Sequence, residues 1–158
     1  MPLNIRWKSK EYLCYGLMLL GGCGLFQTLF IFLAQVVFGV TNYLVLILIP
    51  IGIIGALFYG TIIIFESYAQ VRRRKRLRSQ FQKKKEQELY KTFLNFPVTK
   101  PLLILVISFF LFFLMAYGIS ILIVDTQLAF VIAENVAAVL FLLLSNVIEK
   151  YYAKTRRY

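Results

Sequence analysis

One acidic side chain, Glu134, lies inside a long apolar run, and its position is the strongest hint of chemistry in this sequence. On insertion scales, an ionisable residue deep in a membrane costs at least about 2.5 kcal/mol. We therefore expect Glu134 to face a protein interior or to carry a proton. A buried acid of this kind can bind a cation, relay protons, pair with a cation of a partner, or hydrogen-bond to an amide within its own bundle.

Other polar residues share helical faces with Glu134 if the apolar run around it is a helix. At about 100° per residue, Gln127 and Ser145 fall on nearly the same line as Glu134, and two asparagines form a parallel line about 100° away. Gln27 and Gln35, eight residues apart in the first apolar run, are spaced to face this side. The candidate intramembrane polar site therefore consists of Gln127, Glu134, Asn135, Ser145 and Asn146.

The residue types that support most enzyme and metal chemistry are scarce. The chain has no histidine and only two cysteines, Cys14 and Cys23, in the same apolar run. A helix holds residues nine apart at about 13 Å, which is too far for a disulfide. There is no P-loop, GxSxG or GxGxxG pattern, and the single deep acid has no acid–base partner in its own helix. We expect no enzymatic activity, no metal and no cofactor.

Composition places the chain in a membrane. It has 158 residues, of which 60% are hydrophobic, whereas soluble domains average about 45–50% apolar residues. Mean hydropathy is +0.76. The uncharged run from residue 12 to 65 is longer than one span of about 20 residues, and the turn formers at 39–42 divide it in two. We expect the first span to be retained rather than cleaved as a signal peptide, because its apolar run is too long for one.

The predicted fold is an all-α integral membrane four-helix bundle made of two antiparallel transmembrane hairpins. The N-terminal hairpin covers 1–66, and the C-terminal hairpin with a basic tail covers 99–158. Between them, a basic, amphipathic helical segment on the cytoplasmic side is predicted at 67–98, either as a continuation of the second helix or as a separate interfacial helix. Pro101 suits the first turn of a helix, where its missing N–H removes no bond. The predicted helices span about 12–38, 43–66, 101–124 and 127–148.

Charge predicts the orientation. The net charge is +11, and the 18 lysines and arginines lie near the N-terminus, in the segment 72–100, or from Lys150 onward. The positive-inside rule places both termini and the basic segment on the cytoplasmic side of a plasma, inner or thylakoid membrane. This segment is predicted to lie on anionic headgroups, or alternatively to bind an acidic partner; nucleic acid is not the expected ligand. Its cations are Arg72, Arg73, Arg74, Lys75, Arg76, Arg78, Lys83, Lys84 and Lys85.

Small residues at a spacing of four mark two faces where helices could approach closely. One set lies in the second predicted helix and the other in the fourth, and we expect both to pack the bundle, with binding of another protein as the alternative. The residues are Gly52, Ala56, Gly60, Ala129, Ala133 and Ala137.

Two functions remain open at this point. The first is a non-enzymatic assembly factor or accessory subunit that contacts other membrane-protein subunits. The alternative is a small oligomeric channel or transporter that uses Glu134. The sparse polar lining, with one deep charge and a few amides, favours the first.

Overall fold

The structure is a computed structural model, and it describes residues 10–37, 39, 42–78 and 98–153. For residues 72–78 only the course of the helix is described. The described part contains four long helices and a π-helical turn at Glu149–Ala153. The helices are α1 at Lys10–Val36, α2 at Tyr43–Arg78, α3 at Thr99–Ser120 and α4 at Thr126–Ile148.

Each helix contains a stretch that is long and apolar enough to cross a membrane. The chain is therefore all-α and is an integral, multi-pass membrane protein, as its composition predicts. The stretches are Leu13–Val36, Ile47–Val71, Thr99–Ser120 and Thr126–Tyr151.

The second helix extends beyond the predicted end of its span at 66. We predicted that it either continues out of the membrane or is followed by a separate interfacial helix, and the structure has one helix that continues to Arg78. The extension contains no proline or glycine and is rich in arginine, which has a high helix propensity. The helix therefore carries the first part of the basic segment, namely Arg72, Arg73, Arg74, Lys75, Arg76 and Arg78. The prediction for Lys83, Lys84 and Lys85 lies outside the described residues.

The third helix ends earlier than its apolar composition suggests. We predicted a helix to 124, but α3 ends at Ser120, and the next residues form tight turns. The backbone N–H groups of Ile123 and Val124 both donate to the carbonyl of Ser120, at 3.0 Å. This turn lets α4 begin at Thr126 and pack beside α3. Pro101 lies in the first turn of α3, where we expected it.

The connection between α1 and α2 contains a backbone conformation that suits glycine. Gly39 has a φ of 61°, in the left-handed region that residues with a Cβ rarely adopt. The turn formers at 39–42 thus mark the break between the two helices, as predicted.

The relative direction of the helices follows from their contacts. Early in α1, the Tyr15 ring lies 5.6 Å from that of Phe65, late in α2. Further along α1, Cys23 contacts Thr61, which precedes Phe65 in α2. In these contacts α1 and α2 therefore run in opposite directions.

Aromatic rings fill the bundle interior at one level. The Phe30 ring of α1 lies 5.4 Å from Phe109 and 4.6 Å from Phe113, both in α3, in edge-to-face geometry. The Phe130 ring of α4 lies 5.7 Å from that of Phe113. All four phenylalanines are buried in one core cluster, which also includes Ile53 and Leu57 of α2. This level therefore joins all four helices.

Candidate functional site

Two polar side chains lie buried in the membrane-spanning part of the bundle without a partner. Gln27 of α1 is 1% exposed and Glu134 of α4 is 0% exposed. Neither the amide oxygen and nitrogen of Gln27 nor the two carboxyl oxygens of Glu134 has a hydrogen-bond partner in the described structure. Native proteins pair the large majority of such atoms, so these four require an explanation. We call Gln27 and Glu134 the buried polar pair.

The two residues lie at nearly the same depth. The Phe30 and Phe130 rings are 6.3 Å apart, which sets one common level in α1 and α4. Gln27 precedes Phe30 by three residues, and Glu134 follows Phe130 by four. At 1.5 Å per residue they lie about 4.5 and about 6 Å from that level along their helices. Gln27 and Glu134 lie on the same side of the Phe30/Phe130 level only if α1 and α4 run in opposite directions.

A second level that α1 and α4 share shows that these two helices run in opposite directions. Cys23 of α1 contacts Thr61 of α2. The neighbouring Gly60 lies against Phe141 of α4, since a Cβ on this glycine would be 2.6 Å from that ring. Cys23 is earlier than Phe30 in α1, whereas Phe141 is later than Phe130 in α4. The buried polar pair therefore lies between two levels that α1 and α4 share.

Small, buried side chains flank Glu134. Ala133 and Ala137 of α4 are fully buried on the same side of the helix and belong to the core cluster. Ala129 is also fully buried. The predicted alanine face thus packs inside the bundle, as expected for residues that let helices approach.

The other residues of the predicted polar site are separated from Glu134. Ser145 is buried, but its hydroxyl donates to the carbonyl of Phe141 at 2.8 Å and lies beside Gly60. Gln127 is half-buried at the N-terminal end of α4. There it lines an open depression of ≈ 630 Å³ with Gly39, Asp125, Thr126 and Leu128.

The two asparagines face outward, which corrects the predicted site. Asn135 and Asn146 are both exposed, and the Asn135 side-chain amide donates to the carbonyl of Val131 at 2.9 Å. The physical reason is the rotation of about 100° per residue, which turns the neighbours of Glu134 and Ser145 away from the core. Only Glu134 and Ser145 of the five predicted residues are buried.

The first-helix glutamines also differ from each other. Gln27 faces the interior, as we predicted, whereas Gln35 is exposed near the end of α1. A helix rotates by about 80° over eight residues beyond two full turns, so two such positions need not share a face. The sequence spacing therefore selected one buried glutamine, Gln27, together with an exposed one, Gln35.

The small residues predicted to share one face of α2 lie on different sides of the helix, again because the helix rotates between them. Gly60 is buried against Phe141 and Ser145, and Ala56 is half-buried. Gly52 is exposed, and a Cβ there would meet nothing within 4 Å. The prediction that Gly52 packs within the bundle is wrong, because eight residues of helix turn it away from the side of Gly60.

The arrangement offers little for metal or cofactor chemistry. Within the described part of the chain, no three Asp, Glu or Cys residues come together as ligands. Asp125 occupies the N-cap position of α4, where its carbonyl accepts the N–H of Ala129 at 2.8 Å, but its side chain makes no capping bond. No protein-family model matches the chain, and comparisons with curated proteins and with solved structures find no significant similarity.

Proposed function

We propose that this protein works through lateral contacts with transmembrane helices of a larger membrane complex, as a non-enzymatic accessory subunit or assembly factor. The observation that carries the proposal is the placement of four glycines in two helices. A Cβ added to any of them would meet nothing within 4 Å, so each one opens away from the bundle. They are Gly21 and Gly24 of α1 and Gly52 and Gly55 of α2.

Outward glycines matter because of what drives helix association in lipid. Apolar side chains gain little when they leave lipid for a protein surface, so close backbone packing at small residues is a main source of stability. A glycine also costs about 1 kcal/mol of helix propensity relative to alanine. Paired glycines on an outer helix face therefore favour a packing surface over plain lipid contact.

The outer face of α3 has a different character. Its one described outward glycine, Gly118, stands among large exposed side chains such as Leu114, Met115 and Ile119. The described outer face of α3 thus has one outward glycine, whereas α1 and α2 each have two, three residues apart, among exposed apolar side chains of their own. For this reason we propose α1 and α2 as the partner surface.

Polar residues on α1 indicate what covers the glycines. Thr28 is exposed, and its hydroxyl donates to the carbonyl of Gly24 at 2.8 Å. Cys14 and Gln35 are also exposed on this helix. Hydroxyl and amide groups in a span form hydrogen bonds across helix interfaces. The occupant we propose is a transmembrane helix of another protein, with a second copy of this chain as the competing outcome.

We also propose the topology that the charges predict, with two antiparallel hairpins and both termini cytoplasmic. No lysine or arginine occurs from residue 11 to 71 or from 101 to 149, so the two short connections carry none. The arginine-rich end of α2 would then lie at the cytoplasmic surface, where each cation near anionic lipid is worth about 1 kcal/mol. A plasma, inner or thylakoid membrane would satisfy this arrangement.

Transport is the second candidate, and the interior packing argues against it. A conduit through one bundle would pass Glu134 and then the level of Phe30, Phe113 and Phe130. Those rings are fully or almost fully buried and in mutual contact. A pathway would have to lie between copies of the chain instead.

The decisive experiment is a native-gel and mass-spectrometric analysis of the gently solubilised full chain. We expect co-migration with subunits of a larger complex. The paired variants Gly21→Leu/Gly24→Leu and Gly52→Leu/Gly55→Leu should reduce this co-migration, because leucine fills the notch.

The control is Gly118→Leu, which adds one leucine to the outer face of α3 and should leave co-migration unchanged. Equal loss in all variants would mean a general folding defect and would overturn the assignment of the partner surface. A homo-oligomer without other subunits would overturn the accessory function and make ion flux the next measurement.

A further inference from the structure

The buried polar pair carries an inference that does not depend on the proposed function. Its four terminal polar atoms are buried and unpartnered in the described structure, and they lie at nearly one depth in two helices whose side chains meet at Phe30 and Phe130. Leaving a buried polar atom unpaired costs about 1–3 kcal/mol, and more for a charged group. A contact between the two side chains would remove this cost for both.

A carboxylate at this position would have no counter-ion. No lysine or arginine occurs from residue 11 to 71 or from 101 to 149, so the apolar stretches carry such residues only at their ends, at Lys100 and Lys150. Both side chains are exposed, Lys100 in the first turn of α3 and Lys150 in the π-helical turn after α4. An isolated buried charge is far more costly than a buried neutral acid. The physical conditions therefore favour the protonated carboxylic acid at Glu134.

A neutral carboxyl and a primary amide are complementary. The acid has one O–H donor and one carbonyl acceptor, and the amide has N–H donors and one carbonyl acceptor. The Glu134 O–H can donate to the Gln27 oxygen while the Gln27 N–H donates to the Glu134 carbonyl. A single water between them would serve the same atoms, since a buried water needs two to four polar partners.

We propose that Gln27 and Glu134 form a proton-holding acid–amide pair that connects α1 to α4 inside the bundle, directly or through one water. The ligand of this site is a proton, which Glu134 retains. The fully buried Ala133 and Ala137 flank Glu134 in α4, and the neighbouring rings of Phe30 and Phe130 lie 6.3 Å apart.

Titratable groups on the surrounding helices do not supply a competing charge. Cys23 of α1 is buried and contacts Thr61, and Tyr117 of α3 stacks on Phe113 at 5.7 Å. Glu66 of α2 is beyond the level of Cys23 and Thr61, toward the inner end of the helix. A neutral acid is thus compatible with every described neighbour.

Infrared spectroscopy of the purified full chain in lipid tests the protonation state. We expect a carbonyl stretch of a protonated carboxyl that disappears in Glu134→Gln. It should return in the exchanged variant Gln27→Glu/Glu134→Gln, which rebuilds the pair with its groups reversed. In Gln27→Leu the band should move to higher frequency, because the acid loses its hydrogen-bond partner. If Glu134→Gln instead removes a band from the carboxylate region of the wild-type spectrum, Glu134 is ionised and the proposal is overturned.

A double-mutant cycle tests the pairing separately. Gln27→Leu should raise the unfolding equilibrium constant in both backgrounds, but the fold-increase should be roughly three to twenty times larger in the wild type than in Glu134→Leu. This is the range measured for polar contacts between membrane helices. Gln35→Leu, at an exposed amide of the same helix, is the matched control and should show no coupling. Additive effects of Gln27→Leu and Glu134→Leu would show that the two side chains do not interact, and would overturn the proposal.

Discussion

The Sγ atom of Cys23 in α1 lies 3.6 Å from the Oγ1 atom of Thr61 in α2. The single hydroxyl proton of Thr61 is directed at the backbone carbonyls of Leu57 and Phe58, at 2.9 and 2.8 Å. The threonine oxygen is therefore free to accept, and the thiol is the donor. This contact holds α1 against α2 and distinguishes the two cysteines chemically.

Thiol labelling measures that distinction. Cys14 is exposed and Cys23 is fully buried, and both are free thiols. In the folded protein we expect N-ethylmaleimide to modify Cys14 roughly tenfold faster or more, because Cys23 reacts only after local opening of the bundle. The two rates should converge in denaturant. Equal rates in the folded state would contradict the packing of α1 on α2.

Gly60 is predicted to be the glycine of α2 at which an added side chain destabilises the protein most. An added Cβ would lie 2.6 Å from the ring of Phe141, which is fully buried and has little room to move. We expect Gly60→Ala to lower the free energy of unfolding by about 1–3 kcal/mol, the usual cost of overpacking.

Gly52→Ala is the matched control for that substitution, since a Cβ there meets nothing within 4 Å. It should be neutral or slightly stabilising, because alanine has the higher helix propensity. Reversible unfolding in mixed micelles measures both variants. A destabilisation of Gly52→Ala as large as that of Gly60→Ala would refute the assigned faces of α2.

Phe30 is predicted to be the most costly aromatic residue to remove from α1. It is 2% exposed and contacts rings in both α3 and α4. We expect Phe30→Ala to lower the free energy of unfolding by about 3 kcal/mol or more, because the cavity cannot collapse without moving several helices. Phe32→Ala, at a ring that is 63% exposed on the same helix, should change stability far less. Similar losses would mean that α1 is rotated relative to this structure.

The proposed topology is tested with reporters of membrane side. Fusions at residue 41 or 126 should read as non-cytoplasmic, and fusions at residue 85 or 158 as cytoplasmic. Activity of a cytoplasmic reporter at 41 or 126, or of a periplasmic or lumenal reporter at 85 or 158, would contradict the positive-inside assignment. Replacing the arginines of 72–78 with glutamine should weaken the orientation while leaving the number of spans unchanged.

Local properties of the sequence were enough to predict the four helices and the membrane. A span needs only about 20 apolar residues, and the turn formers at 39–42 mark an interruption whose Gly39 adopts a left-handed conformation. The ends of the helices were less predictable. Apolar residues after Ser120 look like further span, yet the chain turns there. The arginine-rich residues after 66 were predicted to be helical, and α2 includes them as far as Arg78.

The faces of the helices were decided by the tertiary structure. Spacing by four identifies a stripe over one or two turns, but the stripe rotates by about 40° with each step of four residues. Gly52 and Gly60 therefore ended on different sides, and Gln35 turned outward while Gln27 turned inward. The sequence by itself determined that Glu134 must be neutral or sheltered. Only the tertiary structure placed Gln27 of α1 at the depth of Glu134 in α4, because which side chains share a level depends on how distant helices align.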